Sequence, residues 1–380
     1  MKEIVVRLQG RSYSILIGRN LLASLGARLK PLGLGRRILI VSNRRVAGLF
    51  LAPVRNSLKR AGFEVAAPFL LPQGSERDKS EGVLFRLWSH MACEGLDRRS
   101  TVVALGGGVV GDTAGFAAAT YMRGINLIQV PTTLLAQVDS SIGGKTGIDL
   151  AAAKNMVGAF YQPRLVVCDV SALERMGLVR TGLHELRNSL AEVIKYGVIR
   201  DPQLFELLEG QARSFLLSAS QKKLGAKEFS FLEKVVSRAA AVKARVVERD
   251  ERETKGLRMI LNYGHTFGHA FEAASGYRLA HGEAVSLGMI AAGRLARRRG
   301  IFAEEDESRQ RRLIQRIGLP VNLRRFRLNA ERVLRHMAHD KKAREGQLRF
   351  VLPERIGRVR VFDNVSTSEI KRVLSEAGGR

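Results

Sequence analysis

Cysteine is nearly absent from this 380-residue chain, which has only Cys93 and Cys168. Two thiols are too few for a disulfide framework or an all-cysteine zinc site, and they suit a reducing, cytoplasmic setting. No apolar run approaches the roughly 18 residues of a membrane span. The opening residues, Met1-Lys-Glu-Ile-Val-Val-Arg-Leu8, alternate polar and apolar and lack the continuous apolar core of a signal peptide. Aromatics are scarce, at 6%, and acids are outnumbered: 36 Asp and Glu stand against 63 Lys and Arg, for a formal charge of +27. The resulting pI, near 11.0, raises the question of nucleic acid. No dense basic tail, low-complexity run or aromatic-interleaved basic motif accompanies the charge, so nucleic acid is not the expected partner. Clusters such as Arg297–Arg299 and Arg311-Arg312 lie in Ala/Leu-containing sequence, where a solvated helix face accounts for them. A small anionic substrate gains from the same field.

What remains is an ordinary globular composition, 45% hydrophobic, long enough for about two domains with real cores. Residues 1–100 alternate in period. Strands are expected at Ile4–Leu8, Ser14–Ile17, Arg37–Val41 and Phe63–Ala66, and helices near Asn20–Leu29, Val46–Ala61 and Glu81–Glu94. Pro72–Lys79 reads as a polar turn. Such alternation implies a parallel sheet with helices on both faces, which binds ligands beyond the strand C-termini. Ser42-Asn43, Glu76 with Lys79, and Gly106–Asp112 all fall at such places.

Glycine is where the chemistry begins. Val102–Leu105 is a short apolar strand run that enters Gly106-Gly-Gly-Val-Val-Gly-Asp112, and helix-forming sequence follows at Thr113–Thr120. Strand, glycine turn and helix start aim backbone N–H groups and a positive helix end at a phosphate. The spacing is not G-x-G-x-x-G, so a ligand-free βα turn remains open at this point. Tyr121-Met-Arg123-Gly and a strand at Asn126–Val130 come next. A polar, glycine-containing segment then reads as a long loop carrying Thr132, Thr133, Asp139, Lys145, Lys154 and Asn155.

After a strand at Leu165–Asp169 the periodicity turns helical, with segments at Glu185–Tyr196, Pro202–Leu208, Ser230–Arg249, Leu261–Ala274, Glu283–Arg299, Glu305–Ile317 and Ala330–Ala338. Arg349–Leu352 and Val359–Phe362 suit a small hairpin. The expected division is 1–177, an α/β domain, and 178–380, a helical one.

The chain has seven histidines, and three of them, His265, His269 and His281, fall within seventeen residues. His265 and His269 share a helix face at i,i+4, and His281-Gly-Glu283 starts the next helix. Glu192, inside the apolar run Leu190–Tyr196, is the natural further partner. Two histidines and a carboxylate make a catalytic zinc set with coordination open to substrate oxygens. A helix-face pair beside an unrelated helix-start histidine is the competing reading. Lys195, one turn beyond Glu192, together with Lys243, Arg258 and Lys341-Lys342, adds cations suited to carboxylate or phosphate.

Taken in order, Gly106–Asp112, Tyr121–Gly124, Pro131–Thr146, Lys154-Asn155, Ala191–Lys195, Asn262–His269 and His281–Glu283 resemble the 3-dehydroquinate synthase family over nearly the whole chain. The resemblance implies a Rossmann-like α/β N-terminal domain, an all-α metal-binding C-terminal domain and a homodimer. It also implies NAD⁺, a divalent metal (zinc, with cobalt possible) and 3-deoxy-D-arabino-heptulosonate 7-phosphate as substrate in the shikimate pathway. Transient oxidation by NAD⁺, β-elimination of phosphate, re-reduction, ring opening and aldol closure would follow. By the family pattern NAD⁺ contacts fall on Asn43, Glu76, Lys79, Gly107, Gly108, Asp112, Thr132, Thr133 and Lys154. The metal ligands are Glu192, His265 and His281. Substrate contacts are Arg123, Asp139, Lys145, Asn155, Lys195, Lys243, Arg258, Asn262 and Lys341. Glu253, His269 and Lys195 carry the catalytic roles, so the pattern gives His269 to proton transfer rather than to the metal.

The chain departs from the pattern at Ser75, Asp149 and Ala153, over residues 174–189 around Arg175, and by a residue inserted between Glu253 and Arg258. Deoxy-scyllo-inosose and valiolone synthases share the NAD and metal motifs but differ at substrate positions. A metal-dependent polyol dehydrogenase is a further alternative and would accumulate NADH.

Overall fold

The computed structural model describes residues 1–150, 153–178, 182–221, 224–326, 328–343 and 348–376. The chain folds as two compact units, Met1–Leu178 with Lys223–Arg252, and Val179–Lys222 with Glu253–Arg380.

The first unit is α/β. Its strands are β1 (Lys2–Val6), β2 (Tyr13–Gly18), β3 (Arg37–Asn43), β4 (Glu64–Val65), β5 (Phe69–Leu71), β6 (Thr101–Gly106), β7 (Asn126–Pro131), β8 (Lys145–Leu150), β9 (Ala153–Phe160) and β10 (Leu165–Asp169). Eight of them form one sheet in the order β1-β2-β10-β7-β6-β3-β4, with β5 also pairing β3. Every pair in it is parallel except β1–β2. Its helices before residue 178 are α1 (Leu25–Leu29), α2 (Arg44–Arg60), α3 (Glu81–Cys93), α4 (Gly108–Thr120) and α5 (Val170–Leu173).

Successive strand residues point to opposite faces, and the core sorts accordingly. Ile38 and Ile40 pack with Leu25, Phe50 and Val54 on one face, whereas Leu39 and Val41 pack with Leu84, Leu87 and Ala114 on the other. Strands buried on both sides read as continuous apolar runs, which is why β3, β6, β7 and β10 stand out in the sequence.

The helices α6 (Leu183–Ile199), α7 (Pro202–Gln221), α8 (Ala226–Arg249), α9 (His265–Ala274), α10 (His281–Arg298), α11 (Glu304–Ile317), α12 (Ala330–Ala343) and α13 (Thr367–Glu376) complete the chain with the hairpin β11 (Phe350–Arg355) and β12 (Arg358–Phe362). All but α8 belong to the second unit. There α6 is buried without a break from Ser189 to Ile199, and Glu192 and Lys195 are its only charged residues in that stretch. A Cβ on Gly288 of α10 would lie 1.9 Å from the Gly264 carbonyl oxygen just before α9. Backbone contact of that kind needs glycine, and it sets His265 and His281 at the starts of adjacent helices. Among the described residues no helix is long and apolar enough to cross a membrane.

Three expectations change. The long loop after Pro131 holds a π-helical turn at Ala136–Ser140 and the antiparallel hairpin β8–β9. Glycines at 143, 144, 147 and 158 interrupt the alternation that would announce those strands. The helix expected at Asn20–Leu29 is a 3-10 turn, Leu22–Ser24, followed by the short α1. A single cut near residue 177 also misses α8, which returns to the first unit and packs on β1 and β2. Glu248 of α8 accepts from the Arg7 N–H at 2.7 Å, and Glu233 pairs with Arg19 at 3.2 Å.

Candidate functional sites in the two units

In the first unit the polar groups gather beyond the C-terminal ends of β3, β5 and β6. Asn43, the last residue of β3, caps α2 by accepting from the Val46 N–H at 2.9 Å. Asp78 is buried and accepts from the N–H groups of Gln73, Gly74 and Ser75, which folds the turn between Glu76 and Lys79. The Lys79 ammonium is almost fully buried within a ring of acceptors. Asp112 lies at 3.0 Å, Glu76 at 3.5 Å and Asp149 at 3.9 Å, and the Asn155 carboxamide accepts a hydrogen bond from the same nitrogen. Burial works against the ammonium, but Asp112, Glu76 and Asp149 outweigh it and raise its pKa. Burial likewise pushes the Asp112 carboxyl up to about 6, against the pull of Lys79.

Gly107 and Gly108 open α4, with no side chain capping it. A Cβ on Gly107 would meet Thr133 Cγ2 at 3.2 Å, and one on Gly108 would meet Ser140 Oγ at 3.2 Å. The Thr132 hydroxyl is buried there without a hydrogen-bond partner. Free helix N–H groups, a backbone too close for side chains and an unsatisfied buried hydroxyl fit a dinucleotide phosphate. On the π-helical turn Asp139 pairs with Lys243 of α8 at 2.6 Å, and Lys243 also donates to the Asp139 carbonyl at 2.7 Å. Arg123, Lys145, Lys154 and Asn155 are exposed on the same unit.

Two departures from the family pattern find local roles. Asp149 accepts from the Asn155 N–H at 2.7 Å, and its own N–H donates to the Lys79 carbonyl at 2.8 Å, so it ties these two residues together. Arg175 lies over the Phe50 ring at 5.1 Å and donates to the Leu49 carbonyl. Residues 179–181 of the unusual segment, and the Ala153 side chain, lie outside the described residues.

In the second unit Glu192, His265 and His281 offer ligand atoms that all lie within 4.8 Å of one another. Glu192 Oε1 is 3.3 Å from His265 Nε2 and 3.4 Å from His281 Nε2, and Lys195 closes on Oε2. Burial alone would raise the Glu192 pKa; Lys195 and the two histidines hold it well below the usual carboxylate range. The outer ring nitrogens are occupied. His265 Nδ1 is 3.1 Å from the Tyr263 carbonyl oxygen, and His281 Nδ1 is 3.2 Å from Glu272 Oε1. Each contact engages Nδ1 and leaves Nε2 turned toward Glu192, as it must be for a cation to take the place of the Nε2 proton. A buried carboxylate facing two such nitrogens is a donor set for a divalent cation with room for further oxygens.

His269 is exposed, its ring centroid 5.3 Å from that of His265 and 6.4 Å from that of His281. Arg258 is buried, Asn262 half-buried and Glu253 exposed with φ of +59°. Lys341 lies on α12, and its side chain falls outside the described residues. Sequence reasoning missed Glu272 and the Tyr263 carbonyl. It also missed the bridge made by Asp149, which appeared only as a departure.

A family model described as 3-dehydroquinate synthase N-terminal matches residues 69–180, and one described as 3-dehydroquinate synthase C-terminal matches residues 189–343. A 3-dehydroquinate synthase of Desulforamulus reducens is 47% identical over 377 residues, covering 99% of this chain and 100% of that protein. Among solved structures, 2-epi-5-epi-valiolone synthase from Streptomyces hygroscopicus subsp. jinggangensis, with NAD⁺ and Zn²⁺ bound, superposes with a TM-score of 0.84 at 28% identity over 99% of each chain. A 2-deoxy-scyllo-inosose synthase complexed with carbaglucose-6-phosphate, NAD⁺ and Co²⁺ gives 0.79 at 25% identity, again over 99% of each chain.

Proposed function

The chain belongs to the 3-dehydroquinate synthase family, and from that premise we propose that it converts 3-deoxy-D-arabino-heptulosonate 7-phosphate to 3-dehydroquinate and phosphate, using NAD⁺ and zinc. The observation that carries this reading is the cluster of Glu192, His265 and His281, with its outer nitrogens already engaged by Glu272 and the Tyr263 carbonyl. When bound, NAD⁺ supplies a hydride acceptor that returns its hydride, and the cation polarises the substrate oxygens it holds.

The chain's own groups divide the remaining work. Gly107, Gly108, Thr132, Thr133 and Asn43 cradle the dinucleotide, with Glu76, Lys79, Asp112 and Lys154 as its polar contacts. Lys195 lies against Glu192 and faces the substrate. Arg123, Lys145, Asn155, Lys243, Arg258, Asn262 and Lys341 receive the phosphate and carboxylate, and Asp139 holds Lys243 in place. The lysines and arginines among them stabilise the charge that develops as phosphate leaves. Glu253 and His269 move protons during elimination and aldol closure. We read the working form as a cytoplasmic homodimer of the 41.9 kDa chain.

The deciding assay follows phosphate release from the substrate with NAD⁺ and Zn²⁺, with and without EDTA, while recording absorbance at the NADH band. Stoichiometric phosphate, loss on chelation and no lasting NADH support the proposal. Lasting NADH without phosphate overturns it in favour of a dehydrogenase, and turnover only on other sugar phosphates overturns the substrate.

A further inference from the structure

We infer that Asn188 is a positioning residue that fixes two of the three helices carrying the metal ligand set, α6 and α10, to each other. The inference rests on the metal reading above and extends it to a residue that makes no contact with the cation.

Helix α10 begins at His281, and the residue before it, Ala280, has no side-chain oxygen with which to cap a helix. The N–H groups of its first turn therefore need acceptors from elsewhere. Glu283 folds back so that its carboxylate accepts from the Ala280 N–H at 3.1 Å. The Glu283 N–H, two residues after His281, is taken by Asn188 Oδ1 at 2.9 Å. Asn188 sits on α6, one turn before Glu192, and residues at i and i+4 share a helix face. The helix that carries the carboxylate ligand thus caps the helix that carries a histidine ligand.

Two further contacts make the cap rigid. The Asn188 carboxamide nitrogen donates to the His184 carbonyl at 2.8 Å, which orients Oδ1 toward α10. A Cβ on Gly282 would lie 2.2 Å from the Asn188 carbonyl oxygen, so the two backbones already touch at this point. The backbone contact fixes how closely α10 approaches α6, and the cap adds a directional hydrogen bond at its first turn. With the cap, rotation at His281 would break a half-buried hydrogen bond. Ligand nitrogens need placement within about half an ångström to bind a cation well.

The test uses purified full-length protein and Zn²⁺ in competition with a chromophoric chelator, for the wild type, Asn188→Ala and Asn188→Asp. Outer contacts of metal ligands typically govern affinity by about 10- to 100-fold. Asn188→Ala is expected to weaken zinc binding about tenfold or more, whereas Asn188→Asp, which keeps the accepting oxygen, restores most of it. The rise in melting temperature on adding zinc should shrink in Asn188→Ala while the zinc-free melting temperature changes little. Equal zinc affinity in wild type and Asn188→Ala overturns the inference, as does an equal drop in melting temperature with and without zinc, which marks a purely structural cap. Wild type that takes up no zinc overturns the metal reading itself and this inference with it.

Discussion

Glu272 Oε1 stands 3.2 Å from His281 Nδ1, so the carboxylate holds the imidazole from behind while its other nitrogen faces Glu192. Their pairing keeps Glu272 ionised; burial would raise its pKa, but the hydrogen bond and charge of His281 lower it. Glu272→Gln keeps the shape and loses the charge. Zinc affinity, measured by calorimetric titration, is expected to fall about 10- to 100-fold. Turnover at saturating zinc should change less than affinity. A variant that binds zinc like the wild type would show that the Glu272 charge plays no part.

Asp112 should make the ligand-free protein less stable as the pH rises through weakly acid values. Burial pushes its carboxyl up to about 6 from an ordinary 3.8, so the folded state holds that proton more tightly than the unfolded chain. Stability therefore falls as pH rises from 3.8 toward 6, and the loss is complete above that window. About two pKa units correspond to about 3 kcal/mol. Urea midpoints measured from pH 4 to pH 7 should show the decline, and Asp112→Asn should flatten it. Lys79 keeps Glu76 at 3.5 Å and Asp149 at 3.9 Å as counter-charges in that variant.

Gly107→Ala tests the cradle for the dinucleotide. The added methyl would meet Thr133 Cγ2 at 3.2 Å, a contact that a small shift relieves. It also occupies the space above the start of α4. Weakening of NAD⁺ binding by about tenfold, roughly 1.4 kcal/mol, is expected with little change in urea midpoint. Binding measured by quenching of the intrinsic fluorescence gives the comparison, and undiminished affinity would remove Gly107 from the site.

The two thiols should differ sharply in reactivity. Cys168 is fully buried, and burial together with Asp169 pushes its thiol up, whereas Cys93 is exposed at the end of α3. Thiolate is the nucleophile. A native-state titration with a chromogenic disulfide reagent should consume one equivalent promptly and the second only on unfolding. Rapid reaction of both would contradict the packing around β10.

The site was legible in the sequence where its chemistry left a local pattern. His265 and His281 begin consecutive helices, Glu192 is the lone acid in the apolar stretch Ser189–Ile199 of its helix, and Gly107 follows a buried strand. The roles of Lys79, Asn155 and Lys243 came from family resemblance, since a lone cation or amide looks like any surface residue. Glu272 was hidden because it is nine residues before His281 across a turn, a separation with no fixed periodicity. Asn188 was hidden for the same reason, as its partner Glu283 lies 95 positions away. The hairpin β8–β9 escaped because glycine carries no hydrophobic signal, and the membership of α8 escaped because its amphipathic pattern does not say which unit its apolar face will cover.

The return of α8 to the first unit bears on how the protein is made. The N-terminal sheet cannot acquire all of its partners when residue 178 leaves the ribosome, because the helix that covers β1 and β2 ends only at Arg249. Strands β1 and β2 must wait for it while α6 and α7, elements of the other unit, are synthesised in between. Domains that close as continuous segments fold one after another during synthesis. Here the two units are interleaved in time, and a fragment ended at the apparent boundary is an unfinished sheet with its β1–β2 edge uncovered.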